Sequence, residues 1–265
     1  TGLGAGSVVD LGWAGTAAAN NTFNLNGGTL TIGQVITNSN TPAATFNFNG
    51  GLLKAAGASA NFVDLGGASQ SAVVKAGGAV IDSNGFNVTI PQGLLDGGTG
   101  GGLTKQGAGT LTLSGSNTYT GATLINAGTL SIGTSINSSS GVTINGSGAK
   151  LFQASFGNLP AVTLTEGTLE TNASVLSLNV ANSATNILNP GAGTVFQMEV
   201  QNGLTFQGAA VINTKATGAS MDNYILPTLD NTLALTTPGD GAANGQITVN
   251  ATNVSTWSGG TDYPI

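Results

Sequence analysis

Cysteine, histidine and arginine are absent from all 265 residues, and each absence removes a class of chemistry. Without cysteine there is no disulfide, no thiolate nucleophile and no thiolate metal site. Without arginine, and with five lysines against eleven acids, the chain lacks the basic groups that nucleic-acid binding needs at phosphates. Charged residues amount to only 6%, and the acids are eight Asp and three Glu, so few carboxylates are on hand for acid–base chemistry. No apolar run reaches the roughly 18 residues of a membrane-spanning helix. The chain opens at Thr1 with no signal-peptide pattern and closes on Tyr263-Pro264-Ile265, which reads as a strand beginning. The expectation is a processed chain or a segment of a longer protein.

What is present is glycine, 43 residues of it, among 40% hydrophobic residues. Glycine at this level and without a three-residue period is not collagen, and the hydrophobic content is too high for a disordered chain. A packed β protein accommodates both, with Val, Leu, Ile, Thr and Phe in strands and Gly, Asn, Asp and Ser at turns. Helix signals are missing: no apolar stripe at i, i+3, i+4 with caps and charged outer faces occurs.

The pattern repeats. GTLTL at 109–113 returns as GTLSI at 128–132, and GTLTI stands at 28–32. TFNLNGG at 22–28 returns as TFNFNGG at 45–51, and VTIN at 142–145 as VTLT at 162–165. Alternation about every twenty residues predicts a parallel β-helix whose rungs are 19–23 residues long, with crossovers expected to be right-handed. Roughly twelve rungs of ~22 residues would make a rod about 55–60 Å long. Leu30, Ile32, Phe46, Phe48, Leu53, Leu111, Leu113, Leu130, Ile132 and Leu169 are expected to face inward. Asn24 and Asn26 should lie under Asn47 and Asn49 as amide ladders. Lys150 and Glu170, one rung apart, should form an exposed pair. Residues 1–265 read as one continuous solenoid that becomes less regular from about 175 onward.

Residues 101–133, GGLTKQGAGTLTLSGSNTYTGATLINAGTLSIG, resemble the autotransporter-associated β-strand repeat of bacterial passenger domains. FNLNGGTLTIG and VTLTEGTLE look like degenerate relatives of it. The resemblance implies a right-handed β-helix displayed outside the cell or secreted, part of a longer adhesin-like or fibrous protein. It supplies no activity. Other copies of the chain, or glycans or proteins of a cell surface, are the expected partners, with no nucleic acid and no transmembrane helix.

Candidate sites read as structure. Glu166 and Glu170 lie four apart on one strand, ~13 Å if extended, whereas paired glycosidase carboxylates need roughly 5–9.5 Å. GGTGGG at 97–102 follows Asp96 without the acid spacing of a calcium loop or the G-K-[ST] of a phosphate loop. Asp240 in GDGAANG offers one carboxylate. Trp13, Tyr119, Tyr224, Trp257 and Tyr263 are too dispersed for a sugar-stacking platform, and Tyr119 and Lys105 are expected to serve the repeat. No catalytic, metal or cofactor-binding residue is assigned, and no cofactor is expected. The chain is read as a non-enzymatic, adhesin-like bacterial rod or fibre building block. The alternatives are a head-to-tail filament subunit and a carbohydrate-binding or polysaccharide-cleaving β-helix.

Overall fold

In the computed structural model the described residues are 4–12, 20–37, 43–153, 157–181, 183, 186–190, 196–201, 204–206, 210–217, 220–221, 223–227 and 247–252. They contain strands and no helix, stacked as a parallel β-solenoid with rungs of about 22 residues.

Each turn has three sides. Val8–Asp10, Gln34–Ile36 and Val63–Asp64 stack on the first, and the same side carries on through Asn87–Ile90, Thr110–Leu113 and Gly128–Ile132. Asn20–Leu25, Ala43–Phe48, Gln70–Val74 and Leu94–Asp96 form the second. Thr29–Ile32, Leu52–Ala55, Ala79–Asp82, Leu103–Gln106 and Thr123–Ile125 form the third. Further along, Val142–Gln153 and Val162–Thr171 each run round the corner, starting on the third side and finishing on the first.

Alternation decides which side chains meet inside. On the first side Val88, Leu111, Leu130, Leu151, Leu169 and Leu188 lie in register and are buried. Each such side chain contributes about 1.5–3 kcal/mol by leaving water. On the second side Phe23 stacks on Phe46, 5.3 Å between centroids and 3° between planes, and Phe48 meets Phe46 edge-on at 4.8 Å. Nine of the ten residues expected inside are buried; Leu30 is packed against the core but only partly covered. Its strand ends its sheet, as does that of Phe23, so neither has a described rung on its outer edge.

The GTLTI at 28–32 is not a rung-mate of GTLTL and GTLSI. Thr29–Ile32 belongs to the third side, whereas Thr110–Leu113 and Gly128–Ile132 pair with each other on the first. The three share a local device: Gly28, Gly109 and Gly128 each have a positive φ (69°, 86° and 65°), which turns the chain into a strand.

Candidate functional site

The stretch 103–132 follows the alternation of its strands literally. Leu103 points in, Thr104 out, and Lys105 in, where it is fully buried. Its column is otherwise apolar: Leu53, Ile81, Lys105, Ile125, Ile144 and Leu164 succeed one another in register. A lysine survives there because the chain turns beside it. Its Nζ donates to the carbonyls of Gln106 (2.8 Å), Gly107 (2.7 Å) and Ala127 (3.1 Å), one proton for each. The ammonium closes two successive corners, which is why Gly107, Gly109 and Gly128 gather there. A Cβ on Gly128 would run into the Gly107 and Gly109 carbonyls and the Lys105 Nζ. Burial pulls the Lys105 pKa down to about 8, and Asp82 acts in the opposite direction. It is therefore charged at neutral pH.

NTYTG at 117–121 serves the next corner. Asn117 is buried; its Oδ1 accepts from Leu94 N (3.2 Å), and its Nδ2 donates to Gly115 O (2.8 Å) and Ser135 O (3.3 Å). One amide thus ties three rungs. The Tyr119 hydroxyl lies 2.8 Å from Thr123 Oγ1, which lies 3.0 Å from Ser139 Oγ. Ser139 Oγ reaches the carbonyls of Gly121 (2.8 Å) and Gly141 (3.0 Å). A carbonyl only accepts, so the proton order runs from Tyr119 to Thr123 to Ser139 to the backbone. Burial pushes the Tyr119 phenol well above its ordinary value, with the Thr123 bond pulling the other way.

The Asn ladder exists. Asn47 Nδ2 donates to Asn24 Oδ1 (2.7 Å) and Asn49 Nδ2 to Asn26 Oδ1 (2.9 Å). The second ladder continues, since Gly77 N donates to Asn49 Oδ1 (3.0 Å). The first stops: Asn47 Oδ1 is buried without a partner, because the next rung presents Val73. Lys150 and Glu170 also meet, Nζ to Oε2 at 2.7 Å. They pair diagonally, since Thr168 faces Lys150 and Glu170 faces Phe152, whose ring lies 5.4 Å from the ammonium.

The remaining candidates fall to structural roles. Asp96 Oδ1 accepts from Thr120 Oγ1 (3.2 Å), while Gly98 and Gly100 take positive φ, so GGTGGG is a turn. Glu166 sits at a register shift opposite Asn145, on the same strand as Glu170. Asp240, Trp13, Trp257 and Tyr263 lie outside the described residues, and Tyr224 is described only as strand backbone. Among the described residues no group of three or more His, Cys, Asp or Glu could hold a metal ion. No described helix is long and apolar enough to cross a membrane.

Lysine, paired corner glycines, Asn117 and Tyr119 in one span make a recognisable set, and a family model matches that span. Residues 103–132 match the passenger-associated-transport repeat. Repeat and solenoid together fit an autotransporter passenger repeat family and support a passenger-like β-helix. No curated protein and no solved structure matches the chain. The passenger-associated-transport repeat covers 30 residues (132 − 103 + 1), and its inward polar groups are spent on holding rungs together.

Proposed function

We propose that the chain is a non-enzymatic, adhesin-like rod, secreted or displayed on a bacterial surface as part of a passenger. The observation that carries this reading is the transport-associated repeat at 103–132 inside a solenoid, with Lys105, Asn117 and Tyr119 all turned inward to bond backbone or one another. Those side chains are engaged in corners and cannot also reach a substrate. Backbone ladders along the axis make a stiff spacer that carries other surfaces away from the cell.

The test is display. The chain, placed between an export signal and an outer-membrane barrel, should reach the surface of intact cells and resist added protease while bound antibody detects it. Retention inside the cell, or release of reducing sugars from polysaccharides by the purified chain, would overturn the reading.

A filament subunit is the second reading, favoured by one observation. The strands at 8–10, 20–25 and 29–32 end their sheets among the described residues, and the end strand of a sheet is where a further strand can pair. Electron microscopy at high protein concentration separates the two: discrete short rods support the spacer, and long unbranched threads support the filament.

A further inference from the structure

The repeat's inward residues are explained by its corners; its outward residues are not. On the first side, Thr89, Thr112 and Ser131 are stacked in register, and beside them Asn87, Thr110 and Thr129. They alternate with the buried Val88, Leu111 and Leu130, so their side chains stand on the outer face. The hydroxyls of Thr89, Thr110, Thr112, Thr129 and Ser131 make no side-chain hydrogen bond within the described protein. Rungs lie ~4.8 Å apart and alternate residues ~6.6 Å apart, so these groups form a flat grid of neutral donors and acceptors. No charged residue stands inside the grid. At its edge the next rung places Phe152 in register with Ser131, half-buried and facing outward.

From this grid we infer that the outer face over residues 87–131, with Phe152 at its end, binds a neutral polysaccharide laid along the solenoid axis. This rests on the adhesin-like reading and names its ligand class. The chemistry is complementary: a polyol presents hydroxyls that donate and accept in rows, and its apolar sugar face suits a ring such as Phe152. Lys150, in register with Thr129 and beside Phe152, has its ammonium 2.7 Å from Glu170, so residues 87–131 themselves offer a charged glycan no counter-ion. Thr110, Thr112, Thr129 and Ser131 belong to GTLTL and GTLSI, so one pentapeptide supplies both the rung and the ligand row.

Affinity electrophoresis of the whole purified chain tests this, in gels containing amorphous cellulose derivatised to be soluble but neutral, soluble β-1,3-glucan, or polygalacturonate. At least one neutral gel should retard the chain. The triple variant Thr110→Val, Thr112→Val, Thr129→Val, which keeps the branched shape and removes the hydroxyls, should lose that retardation at least fivefold. Thr143→Val, on the third side, should retain it. Should the triple variant fail to fold, Thr112→Val alone should show a smaller loss of the same sign. Free migration in both neutral gels, equal retardation of the valine variants, or retardation by polygalacturonate alone would overturn the inference. None of these results bears on export, which surface display decides separately.

Discussion

At the residue scale few of the described buried side chains are polar, and Lys105, Asn117 and Ser139 each meet a specific gap in the backbone pattern. The Asn47 ladder shows what happens where a match is missing: its Oδ1 has no donor because Val73 lies above it. Val73→Asn supplies that donor and should raise stability by about 1 kcal/mol, the usual net worth of such a bond. Asn47→Ala should lower it by a similar ~1 kcal/mol. Thermal or urea unfolding of both variants checks the pair of signs, and an Asn47→Ala chain as stable as the parent would remove the ladder's contribution. Tyr119 gives a pH signature. Its folded-state pKa is raised above the ordinary 10.0, so between that value and the folded one the folded state holds a proton that the unfolded state has released. Its stabilisation is complete below pH ~10 and is lost as pH rises further. Tyr119→Phe should flatten that alkaline loss in unfolding experiments from pH 9 upward, at the expense of about 1 kcal/mol at neutral pH from the broken hydroxyl chain. Lys105 acts oppositely: its pKa is lowered to about 8 from 10.5, so stability should rise with pH across that window.

At the element scale, the corner between the third and first sides is the repeat's characteristic part. Gly128→Ala must place a Cβ against two carbonyls and the lysine at a φ of 65°. Left-handed strain alone costs ~1–2 kcal/mol, and overpacking typically adds another 1–3 kcal/mol, so this variant should unfold at clearly lower urea than the parent. The period-2 alternation made most of this legible in the sequence. It assigned the Leu and Phe stacks, the two Asn ladders and the Lys150–Glu170 pair to the right neighbours. The same alternation also puts Lys105 inside, two residues after Leu103, although lysine's usual preference for water obscures that reading. Other features stayed hidden for a physical reason. The side on which GTLTI falls depends on how many residues each corner uses, and that number varies between Ile32–Gln34 and the continuous Val142–Gln153. Ser139 joins the Tyr119 chain through a bend with no periodic signal, so only the fold brings them together.

At the scale of the whole molecule, each rung touches its neighbours and little else, so stability should be near additive along the axis. Phe46→Ala should cost about 3–5 kcal/mol, and combined with Gly128→Ala, several rungs away, the two effects should sum to within about 0.5 kcal/mol. Coupling well beyond that figure, measured by denaturant unfolding of the two single variants and the double, would mean the rod folds as one interlocked unit. A quasi-linear rod of this kind is consistent with the proposed spacer role, and the proposed glycan contact falls on an outer face, the threonine grid.

The passenger-associated-transport repeat spends its inward polar residues on the rungs, and its outward ones are those proposed for contact. The most direct measurement is unfolding of Lys105→Met alongside its retardation in neutral-glycan gels below its melting temperature. Loss of the ammonium strands three carbonyls, so stability should fall by an amount on the order of 2–4 kcal/mol, with retardation unchanged. A Lys105→Met chain as stable as the parent but no longer retarded would make the lysine part of a site rather than of the scaffold.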